Sequence, residues 1–260
     1  MKYQKENQGG ILQFRWRFHD GWIMSDNLHE YTELLYCMTG EGEVVINGKR
    51  ITISEGQLIW IPPYYVHRFQ CPRAKLICAV FSNDLIPLFF KAQEGRYFCV
   101  SAVEVRNLSE IFDRLDCLDP EDFCAVSGCL NLICSAVLRQ SAFEEKRHSY
   151  GELYQKVISY VAEHFSEEIT LSALAARFGY NEKYLSHTLH DLTGTHFRHF
   201  LNLYRIESAK RSFAENPNRS VTDIAMESGF SALNTFHRVF KEITGMTPSS
   251  YRKIWARYPQ

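Results

Sequence analysis

The sequence predicts an α+β chain of two domains: an N-terminal antiparallel β-barrel with helices, and a C-terminal all-α domain with two helix-turn-helix units joined by a long helix. Three observations carry this reading. Short runs rich in Ile, Val, Leu, Tyr and Trp, broken by turn residues at close intervals, fill the stretch from Ile11 to Phe81. A helix, glycine turn, helix pattern occurs at 170–192 and again at 221–243. Between the two, Thr195 to Ala214 repeats apolar residues at helical spacing and contains neither Gly nor Pro.

In the first domain, taken as residues 1–100, the clearest signal is EVVINGKRITI. Asn47-Gly48 between two β-rich runs suits a type I′ hairpin turn, because both residues accept positive φ. Glu55-Gly56 reads as a turn into a strand at Gln57 to Ile61, Pro62-Pro63 ends that strand, and Leu76 to Phe81 supplies another.

Residues 101–150 read as helices for dimerisation followed by a linker. Asp119-Pro120-Glu121-Asp122 combines an N-cap candidate, Pro in the first turn and acids near the positive end of the helix dipole. In the helix that follows, Phe123, Val126, Leu130, Ile133 and Val137 are spaced three, four, three and four, the rhythm of a coiled-coil seam. We expect this face to form a dimer interface. A seam of two heptads can equally dock on the barrel, a role open also to the preceding helix with Leu108, Ile111, Phe112 and Leu115. Ser141 to Tyr150, SAFEEKRHSY, is polar and charged and reads as the linker into a helix starting near Gly151.

Residues 151–260 form the third segment. Ser220 with Asp223 three residues on is an N-cap arrangement for a helix beginning at Val221. Val221, Ile224 and Ala225 give that helix an apolar face, and Gly229 allows the positive φ that ends it before a second helix from about Ser231. In the second helix Leu233, Phe236, Val239, Phe240 and Ile243 fall largely on one side. Ser231, Asn234, His237, Arg238 and Lys241 are left facing water or a partner. The earlier unit, Thr170 to Gly194, matches it: Ala175 with Ala225, Gly179 with Gly229, Leu185 with Phe236 and Gly194 with Gly245. Two such helices on a rigid spacer suit successive major grooves of DNA, roughly 34 Å apart.

The segment IAMESGF followed by FHRVFKEITGMTPSSYR closely resembles the signature of AraC-type transcription regulators, over roughly residues 151 to 257. The resemblance implies that the exposed residues of the second helix in each unit contact DNA: Lys183, Ser186 and His187 in the first, Leu233, Asn234, His237, Arg238 and Lys241 in the second. Arg238 can take guanine O6 and N7 bidentately, and Leu233 can touch a thymine methyl. In the family an Arg and a Lys usually stand where this chain has His187 and His190, and Asp191 adds repulsion towards phosphate. The second unit is therefore expected to supply more of the affinity.

A second resemblance covers roughly residues 11 to 85. HEYTELLYCMTGEGEVVINGKRITISEGQLIWIPPYYVH is similar to the cupin-type barrel that AraC-type regulators use for effectors. It implies an effector site formed by His29, Tyr31, Glu33, Tyr36, Trp60 and His67, with aromatic faces and polar tips that suit a sugar. Cupin enzymes hold a metal with two histidines one residue apart, a glutamate and a later histidine. Here His29, Glu33 and His67 sit at comparable places, but Tyr31 stands where the second histidine would be, so no metal or other cofactor is expected.

The formal charge of −1 conceals a mild asymmetry, with 16 Lys and Arg against 19 acids in residues 1–150 and 13 against 11 in residues 151–260. Bulk charge is thus weak evidence for nucleic-acid binding, and the placement of cations has to carry it. All eight cysteines precede residue 135 and none is in a CxxC arrangement, which argues against zinc ribbons and a disulfide scaffold. No run reaches the 18 or so apolar residues of a membrane span, and MKYQKENQGG lacks the apolar core of a secretory signal. The expectation is a cytoplasmic, dimeric, non-enzymatic activator-type regulator that binds double-stranded DNA, an effector and RNA polymerase. The competing readings are a metal-dependent cupin enzyme with an appended DNA-binding domain and a regulator without an effector.

Overall fold

The computed structural model of the chain describes residues 4–6, 14–92, 96–98, 100–105, 108–119, 121–140, 143–145, 150–216 and 218–255. The chain divides into two compact units, one built mainly from residues up to 147 and the other mainly from 148 onward.

The first unit is organised by an antiparallel sheet that curls into a nearly closed barrel. Its strands are β1 (Gln4–Glu6), β2 (Phe14–Asn27), β3 (Thr32–Thr39), β4 (Glu41–Ile46), β5 (Lys49–Ser54), β6 (Gln57–Ile61) and β7 (His67–Phe81). After these come helix α1 (Pro87–Ala92), strands β8 (Arg96–Phe98) and β9 (Ala102–Glu104), helices α2 (Leu108–Cys117) and α3 (Phe123–Gln140), and strand β10 (Phe143–Glu145). The spatial order is β1-β2-β7-β3-β6-β9, with β4 paired to both β7 and β5. The long strand β7 is the spine: His67 to Gln70 pairs with β4, and Lys75 to Phe81 pairs with β3. The hairpin joining β4 and β5 turns on Asn47 (φ +47°) and Gly48 (φ +76°), the two positive values that its Asn-Gly sequence accepts. The Asn47 side chain also accepts the Val66 N–H at 2.9 Å, tying the turn to the start of β7.

Strand pleating sorts the barrel's residues onto two faces. Leu34, Tyr36, Trp60, Ile77 and Phe81 share one face by register. There Tyr36 stacks on Phe112 of α2 (centroids 5.7 Å apart) and Trp60 lies against Phe89 of α1 (4.0 Å). Glu33, Leu35, Ile59, Ile61, Cys78 and Val80 share the opposite, inner face.

The α3 seam is part of this core. Val126, Leu130, Ile133 and Val137 are each 0% exposed, Phe123 packs at the edge of the same cluster, and the helix lies beside α1, α2 and β9. Val126, Leu130, Ile133 and Val137 therefore have no apolar surface left for a dimer interface, because it is consumed within one chain, while Phe123 stays half-buried. The helix also starts later than the Asp119 cap implies: the Asp122 carboxylate accepts the Ala125 N–H at 3.0 Å, while the Asp119 carboxylate accepts the Glu121 N–H at 3.0 Å. By length and hydropathy α3 meets the requirements of a membrane span, yet its apolar side is core. The expected linker 141–150 contains β10, which pairs antiparallel with β8 in the register Phe143 with Phe98.

The second unit comprises α4 (Tyr150–His164), α5 (Leu171–Phe178), α6 (Glu182–Thr193), α7 (Phe197–Glu215), α8 (Val221–Glu227), α9 (Leu233–Thr244) and α10 (Pro248–Trp255). At 19 residues, α7 spans about 28 Å at 1.5 Å per residue. Its Phe213 and Ile206 enter the core of the second helix pair beside Ile224, Phe236 and Phe240.

Candidate functional site

The two helix pairs repeat each other at the first cap, at the turn and at the closing threonine. Thr170 Oγ1 accepts the Ala173 N–H at 3.1 Å, and Ser220 Oγ accepts the Asp223 N–H at 3.0 Å. At the turns Tyr180 N–H donates to Ala175 O (2.9 Å) and Phe230 N–H to Ala225 O (3.0 Å), past Gly179 at φ +74° and Gly229 at φ +85°. Both second helices close alike. Thr193 Oγ1 donates to Leu189 O at 2.7 Å and accepts the Thr195 N–H at 3.2 Å; Thr244 Oγ1 donates to Phe240 O at 2.7 Å and accepts the Met246 N–H at 3.2 Å.

On α6 the structure exposes Lys183 and His187 and leaves Ser186 half-buried; on α9 it exposes Asn234, Arg238 and Lys241 and leaves Leu233 and His237 half-buried. Leu185 and Phe236, at the matching inward positions, are both 0% exposed. Each second helix carries a nitrogen-bearing side chain and a carboxylate one turn apart at equivalent places: His187 Nδ1 with Asp191 Oδ2 at 2.9 Å, and Arg238 Nη1 with Glu242 Oε2 at 3.2 Å. Exposed pairs of this kind are worth only a few tenths of a kcal/mol, so either His187 or Arg238 can leave its partner at little cost. On α6 the exposed face continues into an open groove of about 680 Å³ bordered by Asn181, Lys183, His187, His190 and His196.

Sequence reasoning missed Arg205 on α7. Its guanidinium donates to Phe165 O and Glu167 O, both at 2.8 Å, and stands over the Phe230 ring. It thereby ties the end of α4 to the turn of the second helix pair. An arginine in the middle of a helix gives no local sign that it will cap a distant loop.

In the barrel, the six residues expected to hold an effector divide. His29, Glu33 and His67 are buried at 4%, 2% and 1% exposure, and their ligand-capable atoms all lie within 4.8 Å of one another. Tyr31 is half-buried at the edge of the core. Tyr36 and Trp60 belong to the other face of the sheet, where they pack on α2 and α1. The expectation that they line the same site is corrected by the pleat: Tyr36 is three residues from Glu33, an odd number, and so points the opposite way.

The inner face contains polar groups that the sequence did not single out. Cys78 Sγ donates to Glu33 Oε1 at 3.0 Å, and His67 Nε2 lies 3.1 Å from Glu33 Oε2. Burial drives the Cys78 thiol well above its ordinary value, and the adjacent Glu33 pushes it further. His19 on β2 stacks on Trp22 with centroids 3.8 Å apart. Burial, with Arg17 acting in the same sense, holds the His19 imidazole down at about 4 despite an opposing pull from Glu33, so it is neutral at pH 7. As a donor set for a metal, His29, Glu33 and His67 offer two imidazoles and a carboxylate, chemistry suited to first-row transition ions.

Comparison with known proteins gives both halves a family. A family described as "Helix-turn-helix domain" matches residues 174–254, and one described as "Cupin domain" matches residues 14–82. A Staphylococcus aureus protein named an uncharacterized HTH-type transcriptional regulator is 41% identical over 97 residues, 37% of this chain and 13% of that protein. The chain thus spans about an eighth of the length of those curated relatives. The HTH-type transcriptional regulator YobQ of Bacillus subtilis, also uncharacterized, is 28% identical over 86% of this chain and 87% of its own length. Among solved structures, apo ToxT from Vibrio cholerae superposes with a TM-score of 0.63 at 16% identity, covering 92% of this chain and 96% of that one. ToxT bound to an unsaturated fatty acid gives 0.63 at 14% identity, covering 96% of both chains. The chain thus carries a region that matches a cupin domain ahead of a region that matches a helix-turn-helix domain.

Proposed function

We propose that this protein is a sequence-specific DNA-binding transcription regulator whose barrel receives a small-molecule effector. The observation that carries the DNA reading is the duplicated helix pair, each copy presenting an exposed polar face on its second helix above a sealed apolar one. Arg238, Asn234, His237, Lys241 and Leu233 on α9, and Lys183, Ser186 and His187 on α6, are the proposed DNA contacts. Arg238 is assigned to guanine, since its guanidinium is exposed and held only by the weak pair with Glu242. The names of the relatives support regulation, not catalysis.

The effector is assigned to the inner face around Glu33 and His67. The sugar reading depended partly on Tyr36 and Trp60, and their packing against helices removes that support. The fatty acid bound by ToxT favours a different occupant, an acid with an apolar body. Leu35, Ile59, Ile61, Phe69 and Val80 would serve such a body. Homodimerisation and contact with RNA polymerase belong to the same proposal. A dimer surface must exclude the buried α3 seam, and the outer side of α3, where Leu132 is 56% exposed, is the alternative on that helix.

Selection of bound sites from a random DNA pool, repeated with Arg238→Ala, tests the reading. The expected result is a motif of two blocks about one helical turn apart, with one block degraded by the substitution. A pool without enrichment, with and without candidate effectors, would defeat it.

A further inference from the structure

We infer that the groove beside α6 is a proton-linked site for the DNA backbone, in which His187, His190 and His196 take phosphate once they are protonated. The first helix-turn-helix unit then holds DNA more tightly as pH falls. The inference rests on the DNA reading proposed above and adds His190 and His196 to its contacts.

Placement supplies the first argument. All three imidazoles are exposed, and with Lys183 they border one open groove. Lys183, His187 and His190 recur at four and then three residues, so α6 presents them along one side. The rings of His190 and His196 have centroids 5.1 Å apart. Two imidazoles at that distance repel when both are charged, and an anion against them offsets the repulsion. The second argument comes from the matching positions of the other unit. Counted from the starts of α6 and α9, His187 corresponds to Arg238, His190 to Lys241, Asp191 to Glu242 and His196 to Thr247. Thr247 Oγ1 accepts the Ser250 N–H at 3.2 Å at the start of α10, whereas the His196 side chain caps nothing on α7. Imidazole thus stands at three places where the second unit has two permanent cations and a helix cap.

Charge supplies the third argument. The groove's fixed charges all come from α6 itself: Lys183 against Glu182 and Asp191. Among the described residues, α7 adds only His196 to the lining, α5 adds Leu171, and α4, which also packs on α6, adds no charged group. With neutral imidazoles the groove therefore carries one net negative charge and repels phosphate; with all three protonated it carries two net positive charges. A protonated His187 also neutralises the Asp191 carboxylate 2.9 Å away. Imidazole is the side chain that ordinarily changes charge between about pH 5 and 8. Phosphate favours its protonated form, so binding takes up protons, and affinity gained at low pH is lost as pH rises. Arg238 and Lys241 on α9 stay charged throughout that range.

Fluorescence anisotropy of the full chain on a labelled duplex recovered from the random-pool selection, at fixed ionic strength, reads this linkage. Binding should be about tenfold tighter at about pH 6 than at about pH 8. His190→Gln with His196→Gln should lose most of that gain while melting as the wild type does. His187→Arg with His190→Lys should bind at the higher pH about as tightly as the wild type binds at the lower, which a merely structural role for these histidines would not produce. Arg238→Ala should weaken binding by the same factor at both. Wild-type binding that is equally tight at the two pH values would overturn the proton-linked site and leave the DNA reading standing. A gain that survives glutamine at all three histidines would overturn it too, by placing the titrating group elsewhere. No binding at either pH would defeat the DNA reading and this inference with it.

Discussion

At Gly229 two demands meet in one residue. The backbone stands at φ +85°, and an added Cβ would lie 2.7 Å from Phe165 O, 2.8 Å from Ser166 Cα and 2.9 Å from the Arg205 Nε that donates to the same carbonyl. Gly179 has a similar φ of +74° with nothing within 4 Å. Gly179→Ala should therefore cost only the conformational strain, about 1–2 kcal/mol, whereas Gly229→Ala should cost at least about 1 kcal/mol more. Thermal unfolding of the two variants side by side checks this, and equal losses would mean that the Phe165 loop yields freely. Arg238→Ala should weaken a cognate site by about 1–3 kcal/mol and relax one base pair. Uniform loss across site variants would make it a phosphate contact. His19 yields a pH prediction with a definite sign. Its folded pKa of about 4 lies below the ordinary 6.5, so the unfolded chain binds the extra proton and stability falls as pH drops from about 6.5 towards 4. His19→Gln should flatten that part of the stability profile measured by urea unfolding. An unchanged profile would mean that the ring protonates within the fold.

Among the elements, α3 shows how one pattern serves two partners. Its three-four spacing specifies a continuous apolar stripe, and whatever surface lies nearest can cover it. In this fold the barrel side and its helices do so. Leu130→Asp should consequently abolish cooperative unfolding of the first unit, because a charge would be buried in a site with 0% exposure. Leu132→Asp, on the outer side, should leave melting nearly unchanged and lower the sedimentation mass if that side joins two copies. Loss of cooperativity in the Leu132 variant would show that the outer side is structural as well. The strand β7 makes a related point. Only its second part, Leu76 to Phe81, was visible as a β-rich run. The residues from His67 to Lys75 include Arg68, Gln70, Arg73 and Lys75 and contain Pro72, so the pairing of His67 to Gln70 with β4 supplies what local propensity does not.

For the whole molecule, the helix-turn-helix unit carries 13 Lys and Arg against 11 acids from residue 151 on, and Arg219 and Arg238 are already paired with Glu227 and Glu242. Few phosphate contacts follow, and the salt slope of log affinity on a selected site should be shallow, about −3 to −5. Fluorescence anisotropy across salt concentrations measures it; a slope beyond about −8 would mean many more phosphate contacts than the proposed helix faces supply. The sequence by itself determined the elements whose causes are local. These are the Asn47-Gly48 hairpin, the Ser220 cap, the paired glycine turns and the inward Leu185 and Phe236, each set by conformational preference or periodicity within a few residues. Tertiary structure alone decided which face of the barrel Tyr36 and Trp60 take, what covers the α3 seam, and that Cys78 meets Glu33 across 45 residues of chain. Those outcomes depend on strand register and on which apolar surfaces meet, quantities summed over distant segments and absent from any short window of sequence.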